Sequence, residues 1–322
     1  MAYSRDNYKL VREAFEKKRA KAQSDAQARA AQVYAMHPDI LKVDTMLSRT
    51  GLDVMECITS SQNLESDMNV LKQKNQDLQE LRGVLLEKYG YTRDYLDTKY
   101  QCTVCDDTGF DGLKMCRCMR QALTLAGIES SGIKGLYQYQ RFENFDLSYY
   151  RTSEAAYQRM SGILAACRSY AENFADEGNE NLLLVGGTGL GKTHLTTAMA
   201  YVIIDRGYDV VYDSAQNIFS AYEAKRFSRD MSVDCDKYVN CDLLIMDDLG
   251  TEVANAFTVS CLYNIINTRL VSGKATIINT NCPLQEINKR YTDRIGSRIM
   301  GEYNIHQFLG NDVRMQKRMQ RK

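Results

Sequence analysis

Asn181-Leu-Leu-Leu-Val185-Gly-Gly-Thr-Gly-Leu-Gly-Lys192-Thr193 is the stretch that decides the fold. A short apolar run ends in a glycine-rich turn that matches G-x-x-x-x-G-K-[ST] over residues 186–193. Beyond it Leu195, Met199, Val202 and Ile203 recur on one face of a helix period. Strand, glycine loop and helix start, in that order, make a phosphate cradle. The glycines let backbone amides turn inward, and the helix N-terminus adds a favourable field. Gly186, Gly187, Thr188, Gly189, Leu190, Gly191, Lys192, Thr193 and His194 are therefore the candidate nucleotide-binding residues. Lys192 is expected to reach the β/γ-phosphates and the Thr193 hydroxyl to hold Mg²⁺. The ligand is ATP or GTP.

Outward from this loop, apolar runs at 208–212, 241–246, 275–279 and 303–308 alternate with helix-period segments, one of them lined by Val259, Leu262, Tyr263, Ile266 and Leu270. That alternation predicts an α/β fold with a parallel sheet flanked by helices. The run 243–246 leads into Asp247-Asp248-Leu-Gly250, placing two acids where the C-terminal edge of the sheet lies. Asp247 would organise Mg²⁺ through its water shell, and Asp248 would polarise the attacking water. No N-K-x-D run follows the acids, which favours ATP over GTP. The run that starts at Ala275 ends in Asn279-Thr-Asn281. Asn281 is the first choice for an amide that orients the water and Asn279 the alternative; either could instead cap the next helix.

The whole chain has 322 residues with Lys+Arg and Asp+Glu both at 41, so no overall charge draws it to nucleic acid or membrane. Two prolines, against roughly sixteen at average usage, argue for a helix-rich chain. No apolar run approaches the roughly 18 residues of a membrane span, and the first residues hold no apolar signal core, so a cytoplasmic protein without membrane contact is expected. Residues 1–90 are rich in Ala, Gln, Lys, Glu and Leu and read as helix, with breaks near Pro38 and Gly51. Leu64, Met68, Leu71, Leu78 and Leu85 form a short seam, suited to a hairpin packed in its own domain or to a surface that grips a partner.

Ten cysteines in such a chain are not read as disulfides. Cys102, Cys105, Cys116 and Cys118 form a C-x₂-C…C-x-C set able to wrap one tetrahedral Zn²⁺; an iron–sulfur centre or unligated thiols are the alternatives. The other six read as small core residues or plain thiols. A Gly/Ser-rich joint at 127–135 follows. The expected organisation is a helical partner-binding region at 1–90, a four-cysteine module at 91–125, a linker and pre-core segment at 126–150, and the nucleotide-binding domain at 151–322. Within 220–229, Lys225, Arg226, Phe227 and Arg229 mix cations with a ring beside Tyr222, a combination suited to single-stranded DNA. The rings could equally pack down while the charges stay in water. Residues 314–322 are also basic.

The loop followed by Thr193-His-Leu195, the Asp-Asp-Leu-Gly turn and Asn279-Thr-Asn-Cys-Pro283 together resemble an AAA+ ATPase, more narrowly the DnaC/DnaI-type replicative helicase loaders and the related IstB-like ATPases. Arg141-Phe-Glu-Asn-Phe-Asp146 resembles the segment that precedes the core in this group. The resemblance implies that Asp247 is the metal-organising acid, Asn281 a sensor, and Arg298 or Arg294 an arginine finger offered to the next subunit. Arg314 resembles a second nucleotide-sensing arginine. Eight residues follow it, so no full C-terminal lid is expected. Asp248 stands where most AAA+ proteins have glutamate; the shorter acid implies slow hydrolysis.

The function so implied is ATP-dependent loading of a hexameric DnaB-type replicative helicase onto single-stranded DNA, with ATP, Mg²⁺ and Zn²⁺ bound and ATP-dependent self-association. An IstB-like transposition helper acting on duplex DNA, or an adaptor with negligible hydrolysis, are the alternatives.

Overall fold

The computed structural model describes residues 4–60, 64–227 and 234–320. They form two compact units, residues 12–116 and residues 1–11 with 117–322.

Three long helices lead: α1 (Arg5–Met36), α2 (Pro38–Ser60) and α3 (Leu64–Lys88). Pro38 takes the first position of α2, where its fixed φ suits a helix and its missing N–H is no loss. Gly51, in contrast to the expected break, lies inside α2. Packing on α3 carries the helix across it: the neighbouring Thr50 is buried, and Asn75 Nδ2 donates to its Oγ1 at 2.8 Å. Of the leucine seam, Leu78 is buried, while the side chain of Leu64 lies outside the described residues. Val33, Ile40, Leu86 and Leu96 form the small core of this unit. A hairpin of β1 (Phe110–Asp111) and β2 (Lys114–Met115) follows.

The larger unit continues with α4 (Arg117–Ser131), α5 (Glu154–Asn173), β3 (Asn181–Val185), α6 (Lys192–Asp205), β4 (Val210–Ser214), α7 (Ala215–Phe227), α8 (Lys237–Asn240), β5 (Leu243–Leu249), α9 (Ala256–Val271), β6 (Ala275–Thr280), α10 (Leu284–Tyr291), α11 (Asp293–Glu302), β7 (Tyr303–Gln307) and α12 (Val313–Gln320). The glycines and serines at 127–131 form the last turn of α4, not a free joint. Met119, Leu123, Ile128 and Ser131 on that helix are buried, so the segment is a packed part of the larger unit.

The five strands run parallel in the order β4-β5-β6-β3-β7. Alternate residues of β3 enter opposite cores, Leu182 and Leu184 on one face and Leu183 and Val185 on the other. That explains the unbroken apolar runs in the sequence, since a parallel sheet covered on both faces has no polar side. Helices α5 and α6 cover the first face, and α7, α9, α10 and α11 the second. Arg269 on α9 is fully buried, yet its guanidinium donates to the carbonyls of Tyr238, Val239, Cys241 and Ala275. It ties α9 to the entries of β5 and β6. Among the described residues no helix is long and apolar enough to cross a membrane.

Candidate nucleotide site

The central strand β3 ends at Val185, and the chain leaves it through the glycine loop into α6. The order of the sheet places this loop where β3 has β6 on one side and β7 on the other, at the C-terminal edge where open α/β sheets bind ligands. Gly189 takes φ +77°, and a Cβ there would lie 2.1 Å from Asp312 Oδ1, so only glycine fits. Tyr150 closes the loop from outside, its hydroxyl donating to Leu190 O at 2.8 Å.

Lys192 Nζ donates to the carbonyls of Gly186 (2.7 Å) and Gly187 (2.9 Å) and to Asn281 Oδ1 (2.5 Å). Burial lowers its pKa, opposed by the carboxylates of Asp248 and Asp247. Thr193 Oγ1 donates to Asp247 Oδ2 at 3.0 Å, and the Tyr212 hydroxyl donates to the same oxygen. Asp247 Oδ1 accepts from Asn279 Nδ2 (2.7 Å) and from the backbone N–H of Asp248 (3.1 Å). A hydroxyl and a carboxylate in contact are hard oxygen donors of the kind Mg²⁺ takes, so the residues fit that ion.

Pairing of β5 with β6 slips between Met246 and Leu249. The irregularity falls on the acids and puts Asp248 at φ +55°, exposed at the cleft. Partial desolvation and the Asp247 carboxylate raise the pKa of Asp248, partly offset by Lys192 and Arg314. The two candidate amides are separated: Asn281 lines the cleft beside Lys192, whereas Asn279 is buried and holds Thr196 Oγ1 and Asp247. Arg314 is exposed and lines the same cleft from α12, which is pinned to the loop by Val313 N–H donating to Gly189 O at 3.0 Å. Asp312 Oδ1 caps α12 by accepting from the amides of Arg314 and Met315.

The cleft so formed measures about 480 Å³, within the range of small-molecule sites. It is also lined by Phe145 of the 141–146 segment, by Lys317 of the basic 314–322 tail, and by Tyr139, Gln140 and Tyr149, which sequence reasoning did not single out. The only signal for those last three was the 141–146 segment close to them. His194 faces that segment, its Nε2 2.7 Å from Arg141 O, and burial lowers its pKa. Tyr212 was read only as the end of a strand.

A family profile described as IstB-like ATP binding protein matches residues 124–321. The chain belongs to this IstB-like family. It is 27% identical over 172 residues to the replicative helicase loader DnaC of Escherichia coli K12, a match covering 52% of this chain and 66% of the loader. It is 29% identical over 140 residues to an ATP-binding protein of an insertion sequence from Mycobacterium tuberculosis H37Rv, covering 44% and 52%. The chain thus spans just under two thirds of the first relative and about half of the second. A crystal structure of the DnaC helicase loader aligns with a TM-score of 0.47 at 22% identity, covering 54% of this chain and 98% of that one.

In this IstB-like core the arginines of α11 do not line their own cleft. Arg294 is exposed. Arg298 donates to Asn267 Oδ1 at 3.0 Å and sits 4.7 Å from the centre of the Tyr263 ring. Of the basic segment on α7, Lys225 pairs with Asp236 at 3.1 Å, and Arg226 lies 5.4 Å from the centre of the Phe257 ring. Tyr222 packs against the core, as the alternative reading of that segment expected. The Phe227 side chain and Arg229 lie outside the described residues.

The sulfurs of Cys102, Cys105, Cys116 and Cys118 lie within 4.8 Å of one another. Cys102 and Cys116 are 3.8 Å apart at sulfur. Four Zn–S bonds of about 2.3 Å in tetrahedral array set an S···S edge of about 3.8 Å, so the donor set fits zinc. The turn behind the first pair is built by Asp107, buried, whose carboxylate accepts from the amides of Gln101 and Cys102 and pairs with Lys18 at 2.8 Å. Lys18 lies within α1. Its position in an unbroken helical run gave no sign of this partner.

Proposed function

We propose that the chain is an ATP-switched loader that places a hexameric DnaB-type replicative helicase on single-stranded DNA. The observation that carries the nucleotide part is the convergence of Lys192, Thr193, Asp248, Asn281 and Arg314 from separate elements on one cleft, with Asp247 behind it holding Thr193. The similarity to the DnaC loader of Escherichia coli supports the helicase as partner.

Bound Mg²⁺·ATP would supply the phosphoanhydride to be cleaved and the cation that offsets its charge. The loop amides and Lys192 bind phosphate oxygens. Thr193 Oγ1 and Asp247 hold the metal and its water. Asp248 accepts a proton from the attacking water at a carboxylate oxygen, and its raised pKa makes it a stronger base than a free aspartate. Asn281, with Oδ1 engaged by Lys192, keeps its amide nitrogen as the donor that orients that water. Arg298 completes the cleft of a neighbouring copy, with Arg294 as the alternative, which makes hydrolysis a property of the assembly. Arg314 senses nucleotide from α12. The four-cysteine site is a closed zinc staple, and the helical unit offers exposed Leu52, Met55 and Ile58 on α2 to the helicase. Lys225, Arg226, Phe227 and Arg229 contact the single strand.

A second reading, a transposition helper acting on duplex DNA, is favoured by the insertion-sequence relative from Mycobacterium tuberculosis. A loading assay separates the two. Helicase rings should appear on circular single-stranded DNA with wild-type chain and ATP, and not with Lys192→Ala. Retention on duplex without loading would support the second reading and sink the first.

A further inference from the structure

We infer that Tyr212 is a positioning residue for the metal-organising carboxylate, holding Asp247 Oδ2 so that the Thr193 hydroxyl can serve Mg²⁺. This inference rests on the Mg²⁺·ATP reading of the cleft and deepens it.

The two oxygens of Asp247 are held differently. Oδ1 is gripped by Asn279 Nδ2, itself fixed to Thr196 Oγ1 at 3.0 Å, and by the backbone N–H of Asp248. Among the described residues Oδ2 accepts only hydroxyl protons, from Thr193 and Tyr212. Thr193 is the proposed metal ligand. A hydroxyl that gives a lone pair to a cation can still donate its proton, but only if the acceptor stays in line. Its own torsion is free to rotate, so it cannot also be what holds that acceptor. Tyr212 can, because a phenol donates along a direction set by the ring. Three grips besides Thr193, two at Oδ1 and one at Oδ2, stop the carboxylate from turning about its terminal torsion.

The ring is placed by backbone rather than by chance packing. Tyr212 lies on β4 opposite Ile245 of β5, two residues before Asp247. From the other side, Gly132 at the end of α4 presses on it. Gly132 takes φ +92°, and a Cβ there would fall 2.3 Å from Tyr212 O. The close approach excludes any side chain and fixes the height of the strand at this residue. Groups behind a metal ligand orient it, and their loss typically costs about 10–100-fold in metal affinity. Here one of three remaining grips is removed, so about 3–10-fold is expected.

Tyr212→Phe keeps the ring and removes only the hydroxyl. The test is binding of a fluorescent non-hydrolysable ATP analogue to the full chain, titrated with Mg²⁺ and repeated in EDTA. The expected result is a rise of about 3–10-fold in the Mg²⁺ concentration at half-saturation, with unchanged analogue affinity in EDTA. Manganese in place of magnesium gives a second readout, the free-ion signal in electron paramagnetic resonance with analogue bound. An unchanged Mg²⁺ midpoint in the variant, with wild type showing Mg²⁺-dependent binding, overturns the role of Tyr212 alone. Wild type that binds no analogue at any Mg²⁺ concentration overturns the nucleotide reading beneath it.

Discussion

Asp248→Asn separates what this residue does for chemistry from what it costs the fold. The side chain stands at φ +55° on the slipped end of β5, a conformation that asparagine tolerates as well as aspartate, so the backbone loses nothing. Its charge is unfavourable in the folded chain: partial desolvation and the Asp247 carboxylate raise its pKa from the ordinary 3.8, with Lys192 and Arg314 offsetting part of this. The sign follows from proton binding. The folded state holds the proton more tightly than the unfolded chain, so wild-type stability falls as pH rises from about the unfolded value through the raised one. Asparagine has no such loss. The variant should match wild type near pH 4 and exceed it near pH 7. The group is solvent-exposed, and a screened like-charge contact limits the gain to about 0.5–1 kcal/mol. Urea denaturation at several pH values reads this directly. In the same protein ATP hydrolysis should fall by about 10²–10⁴, the usual worth of a positioned base, while nucleotide is still bound. A variant less stable than wild type at pH 7, or a gap that does not change with pH, would refute the electrostatic account. Unchanged hydrolysis would remove Asp248 from the chemistry.

Lys192→Ala removes the ammonium held by Gly186, Gly187 and Asn281, and should weaken ATP binding by about 2–3 kcal/mol, some 30–150-fold, in a fluorescent-nucleotide titration. Arg298→Ala should leave ATP binding intact and lower turnover in the assembled state; unchanged turnover there would shift the finger to Arg294. Cys102→Ser should lower the bound zinc measured by metal analysis while the larger unit still binds ATP, since no cysteine sulfur lines the cleft. Arg269→Ala leaves the carbonyls of Tyr238, Val239, Cys241 and Ala275 buried without their donor, and should cost about 3–5 kcal/mol in denaturant unfolding.

The sheet was legible because a parallel sheet buried on both faces writes itself as continuous apolar runs. The run at 275–279 lies within β6 (Ala275–Thr280) with the same first residue, and the run at 181–185 coincides with β3. Edges were less clear where glycine or aspartate precedes a strand: β4 starts at Val210 rather than at 208, because Arg206 and Gly207 turn the chain out of α6 and the Tyr208 N–H still donates back to Ile203 O. The glycine loop between β3 and α6 was legible from spacing alone. What the sequence hid is contact between distant segments. Tyr212 and Asp247 are far apart in the chain and meet only because β4 pairs with β5. Likewise Phe145 and Tyr149 line the cleft, but nothing in their local pattern distinguishes a roof over the loop from a solvent-facing turn. Gly51 misled in the other direction. A glycine in a helix costs about 1 kcal/mol in isolation, less than the packing of α2 on α3 restores.

The loader account is tested most directly by native mass spectrometry of the full chain mixed with the replicative DnaB-type helicase of its own host, with ATP and with ADP. The account predicts a complex with the helicase ring whose stability depends on which nucleotide is present, with one zinc per chain. No complex under either nucleotide, from a chain that binds ATP by itself, would contradict it.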